Sequence, residues 1–75
     1  MAEYLVLKTI MLGYIDPQDD EQRDLLIHPD GALIRFNGHN IFFRSRDGQW
    51  LESITVNYAI EIWVMDGSLE KIDCL

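Results

Sequence analysis

The architecture expected for this chain follows from residues 53–65, which read SITVNYAIEIWVM. The even-numbered positions in this run are apolar, whereas the odd-numbered positions begin with the polar residues Ser53, Thr55 and Asn57. A two-residue repeat of this length predicts a β-strand with one whole face in a core, and it excludes a helix, which cannot place the same residues on one side. The run is longer than a usual strand, so we expect a bend near Asn57 that lets it serve two parts of a small barrel. The residues expected to face the core are Ile54, Val56, Tyr58, Ile60, Ile62 and Val64.

Turn-forming residues recur at short intervals along the rest of the chain. Each group ends in a glycine that accepts a positive φ, so each is expected to connect neighbouring strands. The groups are Pro29-Asp30-Gly31, Asn37-Gly38, Asp47-Gly48 and Asp66-Gly67. The β-rich runs between them are 25–28, 32–36, 41–45 and 69–74, and a further strand is expected over 4–14 with a bend at Gly13. The sequence therefore predicts a single all-β domain over residues 1–75, a small antiparallel β-meander that forms a barrel or a compact sandwich.

The segment 16–24 is polar and acidic, and two structures fit it. Asp16 is a suitable N-cap and Pro17 a suitable first helical residue, which together predict a short helix near 17–24. The same segment has no apolar stripe that would dock such a helix on a core, and an unsupported helix of two turns is marginal in water. A mobile acidic loop is the alternative.

The chain has 75 residues and a formal charge of −7, and its charges are segregated. Residues 16–30 contain six acidic residues and one arginine, whereas residues 31–46 contain three arginines and no acidic residue. An acidic chain is repelled by nucleic acid and by anionic membranes, so neither is an expected ligand, and a protein with a basic surface is favoured instead. The one cysteine, Cys74, cannot close a disulfide within the chain, and no apolar run is long enough to span a bilayer; both features indicate the cytoplasm.

Residues that could support catalysis, a metal or a cofactor do not occur in a pattern that predicts such a site. The histidines and the serines stand in ordinary turn or strand contexts: His28, His39, Ser45, Ser53 and Ser68. We therefore expect a chain that is not an enzyme, with no catalytic residue, metal or cofactor.

The arginines of residues 31–46 alternate with aromatic residues, as they do in single-strand nucleic-acid platforms. Such platforms need aromatic and cationic side chains on one exposed face. Arg35 alternates with Ile34 and Phe36, and Arg44 with Phe43, which predicts solvent-facing arginines beside core phenylalanines. Ion pairs from these arginines to acidic residues such as Glu52 are expected instead.

These observations predict a non-enzymatic acidic protein-binding module, an inhibitor or regulator of a basic nucleic-acid-binding protein. In its sharpest form it imitates DNA, with carboxylates where phosphates would lie, as some small phage-encoded proteins do. The alternative is a structural subunit of a homo-oligomer or phage particle that assembles through exposed strand edges. Trp63 and Met65 occupy the otherwise polar side of the long strand, as contact residues or as part of a second small core. The candidate partner-binding residues are Asp16, Asp19, Asp20, Glu21, Asp24, Glu61, Trp63 and Met65.

Overall fold

The computed structural model describes residues 1–45 and 47–72, in which seven strands and one short helix occur. All strand pairs are antiparallel. The prediction of an all-β antiparallel domain is therefore confirmed. The elements are β1 (Ala2–Val6), β2 (Ile10–Ile15), β3 (Gln22–Ile27), β4 (Leu33–Phe36), β5 (Ile41–Arg44), β6 (Trp50–Ser53), α1 (Ala59–Met65) and β7 (Leu69–Ile72). The last residues of the strand predicted over 69–74 lie outside the described ranges.

The strands form one sheet in the order β3-β2-β6-β5-β4-β1-β7. Only the residues Leu7–Thr9 separate β1 from β2 along the chain, yet three strands lie between these two in the sheet. In a flat sheet they would be about 19 Å apart, whereas the connection from Val6 to Ile10 spans at most about 14 Å. The sheet must therefore curl strongly. Within the described residues it does not close into a barrel, because β3 and β7 remain its edges.

The core lies on the concave face of the curled sheet. Inward positions alternate along each strand, as in Tyr4 and Val6 of β1, and Ile60 of α1 packs onto the same cluster. Tyr14 and Phe43 add an edge-to-face contact with ring centroids 5.3 Å apart, a favourable geometry for aromatic pairs. The buried apolar residues are Tyr4, Val6, Ile10, Leu12, Ile27, Ile34, Ile41, Phe43, Ile60 and Leu69.

The prediction of one long strand over residues 53–65 is wrong. The strand β6 ends at Ser53, a turn follows, and the chain then forms α1. Of the six residues expected in the core, Ile60 alone is buried; the exposed ones are Ile54, Val56, Tyr58, Ile62 and Val64. After Asn57 apolar residues occupy both even-numbered and odd-numbered positions. A helical repeat therefore fits them as well as the two-residue repeat of a strand does. Ile60 and Trp63, one turn apart, face the core.

The Asp66-Gly67 pair ends this helix instead of connecting two strands of a hairpin. Gly67 has a φ of +81°, in the left-handed region. Its N–H donates to the carbonyl of Val64, and the N–H of Ser68 donates to the carbonyl of Trp63 at 2.8 Å. These two bonds are those of a Schellman motif, which satisfies carbonyls at the end of a helix.

The helix predicted near 17–24 is also absent. Residues 17–19 form a turn, and β3 begins at Gln22. No helix in the described ranges is both long enough and apolar enough to cross a membrane.

Candidate functional site

The acidic segment forms the tip of the hairpin between β2 and β3. These strands pair along their whole length, from Ile10 opposite Ile27 to Ile15 opposite Gln22. At the tip, the N–H of Asp16 donates to the carbonyl of Glu21 at 2.9 Å, and the N–H of Asp20 donates to the carbonyl of Asp16 at 2.8 Å. Asp20 has a φ of +57°, which short polar side chains tolerate better than most. The tip therefore has a defined turn geometry that the sequence left open between helix and mobile loop.

Two of the five hairpin carboxylates bind Arg23, whose exposed side chain lies opposite Tyr14 in the β2–β3 pair. Its Nε donates to Asp16 Oδ2 at 3.1 Å, and its Nη2 pairs with Asp19 Oδ2. The backbone N–H of Glu21 also donates to the Asp19 carboxylate. This hydrogen bond, and to a smaller extent the contact with Arg23, lowers the pKa of the Asp19 carboxyl below its ordinary value. Asp16 and Asp19 therefore hold the tip in shape.

The other three hairpin carboxylates are free of such contacts. Asp20, Glu21 and Asp24 are exposed, and in residues 1–45 and 47–72 no ion pair engages them. Glu21 directly precedes β3 and Asp24 lies within it, and β3 is an edge strand whose outer side faces no other strand of the described sheet. These three residues therefore present negative charge directly to solvent.

The convex face of the same hairpin is apolar. Met11 lies opposite Leu26, and both side chains are exposed. Gly13 lies opposite Asp24, and Ile54 packs over it, since a Cβ at Gly13 would come within 3.3 Å of Ile54 Cγ1. The Ile54 N–H donates to the Gly13 carbonyl at 2.8 Å and holds the two segments together. Asp24 thus lies beside an exposed apolar surface, which we call the hairpin surface: Met11, Ile15, Leu26 and Ile54.

An open cleft of about 430 Å³ lies between the tips of the β2–β3 and β5–β6 hairpins. Asp16 contributes from one tip and Asp47 from the other, and Tyr14 and Leu51 form part of the lining. A hydrogen bond from the Ser45 hydroxyl to Asp47 lowers the pKa of that carboxyl. The sequence did not indicate Asp47 as a candidate, because its place beside Asp16 depends on how the sheet aligns two distant hairpins.

The remaining candidates lie on α1, which follows β6 and packs beside β7 at the edge of the sheet opposite β3. Trp63 is half-buried and packs against the core. Glu61 and Met65 are exposed. The structure thus divides the predicted binding residues into one group on the hairpin and one on the helix.

Two arginines of the positive stretch, Arg35 and Arg44, are engaged within the protein; Arg44 Nε donates to the Gly48 carbonyl at 3.1 Å. The Arg35 guanidinium lies 4.1 Å from the ring centroid of Trp50, and its Nε donates to Glu3 at 2.8 Å. Glu3, not the expected Glu52, is therefore its acidic partner. Phe42 lies opposite Arg35 on the convex face of the β4–β5 pair. The stacked guanidinium covers a face of Trp50 that a base would need.

The histidines show no grouping with acidic residues that could hold a metal. His28 Nδ1 lies 3.1 Å from the Thr9 hydroxyl. Among the described residues, no three His, Cys, Asp or Glu side chains come close enough together to hold an ion.

No protein-family model matches this chain, and no curated protein or solved structure matches it either.

Proposed function

We propose that this chain is a non-enzymatic protein-binding module whose β2–β3 hairpin engages the basic surface of a partner protein. One observation supports this most directly: Asp20, Glu21 and Asp24 are exposed and engaged in no ion pair of the described residues, on a tip that Arg23 holds in shape. Fixed surface charges steer oppositely charged partners and raise their association rates.

The partner class that fits best is a nucleic-acid-binding protein, since such proteins carry dense positive charge. The hairpin surface beside Asp24 would supply apolar contacts that a purely electrostatic encounter lacks. By covering the partner's basic surface the chain would act as an inhibitor or regulator. In the DNA-mimic mode its carboxylates would occupy the positions of phosphates, as in a phage-encoded inhibitor acting in the cytoplasm.

The test begins with capture from a nucleic-acid-depleted lysate and identification of the bound protein by mass spectrometry. Binding kinetics of that protein are then compared for the wild type and for the triple variant Asp20→Asn, Glu21→Gln, Asp24→Asn. We expect an association rate at least about tenfold lower in the variant, with a flatter dependence on salt.

The matched control is the triple variant Asp30→Asn, Glu52→Gln, Glu70→Gln, which changes the net charge by the same amount at exposed sites outside the tip. It should associate nearly as fast as the wild type. Equal losses in both variants would show that overall charge, and not the hairpin, drives binding. Competition by duplex DNA for the partner is expected wherever the hairpin covers the partner's DNA-binding surface, as it does in the DNA-mimic mode.

A further inference from the structure

Apart from Glu61, the exposed residues of α1 are apolar. Ile60 is 3% exposed, whereas Tyr58, Ile62 and Met65 are 61%, 52% and 88% exposed. At 3.6 residues per turn these three side chains form one stripe opposite Ile60, which we call the α1 stripe. A helix that is apolar all round is typical of a buried position. The isolated chain leaves half of this helix in water.

We propose that a second copy of this chain covers the α1 stripe and forms a symmetric homodimer. The distribution of charge favours a second copy over a basic partner at this surface. Glu61 is the one charged residue of the twelve in 54–65, so a basic partner would find little to attract it there. Two copies of charge −7 repel each other, and the repulsion is smallest where each presents its least charged surface. At the end of the helix, the Lys8 ammonium donates to the backbone carbonyl of Asp66 at 3.0 Å, which places a positive charge near the Asp66 side-chain carboxylate.

The spacing of the stripe is self-complementary under a two-fold axis. In an antiparallel pair of helices, the axis passes close to Ile62, and Tyr58 of each copy faces Met65 of the other. A two-fold interface needs such reciprocal contacts, and a thioether against an aromatic ring is a favourable one. No other residues need to move, because the stripe is already exposed on a folded element.

The apolar area is of the size that a weak dimer buries. Ile54 belongs to the hairpin surface and Val64 lies one turn from Ile60 on the core side of the helix, so neither adds to the stripe. The three stripe side chains expose on the order of 400 Å², about half of the roughly 800 Å² buried per partner in a standard interface. A domain this small also gains more than a large one from burying further apolar surface by association.

The test is sedimentation equilibrium of the full chain from about 1 µM to about 1 mM, the range in which weak dimers form. We expect the mass to rise from monomer to dimer, and the dimer to strengthen with added NaCl because salt screens the repulsion. The variant Ile62→Gln, Met65→Gln should raise the dimer Kd at least tenfold. The control Met11→Gln, Leu26→Gln removes two apolar side chains that are 55% and 56% exposed on the hairpin surface, and it should dimerise like the wild type.

A crosslink tests the geometry without removing the rest of the stripe. In a Cys74→Ser background, Ile62→Cys should oxidise to a disulfide-linked dimer much faster than Met11→Cys does, since residue 62 lies near the axis. The proposal is overturned by a wild type that stays monomeric throughout, by a stripe variant that dimerises normally, or by a control that loses the dimer. Should the stripe variant fail to fold, the crosslink rates decide.

Discussion

Arg23 and Asp19 determine which hairpin charges remain without an ion pair among the described residues. Arg23 engages Asp16 and Asp19, so the negative surface is smaller than the composition implies and centres on Asp20, Glu21 and Asp24. The Asp19 carboxylate also accepts the Glu21 N–H at 3.1 Å. Because both bonds favour the ionised form, the turn is held together at neutral pH.

A titration measures this contribution. The Glu21 N–H, followed by Arg23, places the folded pKa of Asp19 below the ordinary 3.8. A depressed pKa stabilises the fold above the ordinary value, and this stabilisation is lost as the pH falls through the lower folded pKa. The carboxyl carbon of Asp19 should therefore titrate below 3.8 by NMR. In Arg23→Gln the midpoint should rise only part of the way, since the Glu21 N–H remains; a full return to 3.8 would contradict this assignment.

At the scale of elements, α1 shows where reasoning from the sequence failed. Apolar and polar residues do alternate in 53–57, but β6 ends at Ser53, the first residue of this run. From Ala59 onward the odd-numbered positions are also largely apolar. Beyond Asn57 the alternation therefore no longer distinguishes a strand from a helix. A glycine after Asp66 ends a helix as readily as it turns a hairpin. Local pattern alone could not choose, and packing of Ile60 and Trp63 on the core decides for the helix.

Two neighbouring isoleucines separate helix from strand by experiment. Ile60→Ala should destabilise the domain by about 2 to 5 kcal/mol, which lowers the melting temperature by at least about 8 °C at this size. Ile62→Ala removes the same atoms from an exposed position and should change the stability by less than about 0.5 kcal/mol in dilute solution. A strand would place both side chains on one buried face, so equal losses in thermal melts would exclude α1.

For the molecule as a whole, the class of fold could be predicted from the sequence, but the order of the strands in the sheet could not. The Asn37-Gly38 and Asp47-Gly48 turns correctly predicted that β4, β5 and β6 are neighbours. Nothing local places β1 between β4 and β7, or Tyr14 of β2 opposite Ser53 of β6, because these pairs join distant parts of the chain. The same limit explains the site: exposed acids on the hairpin were predictable from composition, whereas the Asp16–Asp47 cleft needed the sheet order.

The sheet order predicts how protection from hydrogen exchange is distributed. The strand β5 lies in the middle, pairs with β4 and β6, and carries Ile41 and Phe43, which are almost fully buried. The strand β3 pairs with β2 alone and is exposed along most of its length. Amides of β5 should therefore exchange with free energies close to that of global unfolding, and amides of β3 with only a fraction of it.

Native-state hydrogen exchange, measured by NMR at several protein concentrations, checks this prediction. If copies associate through the α1 stripe, β3 stays weakly protected at every concentration; strong, concentration-dependent protection of β3 would instead place the contact between copies at that edge.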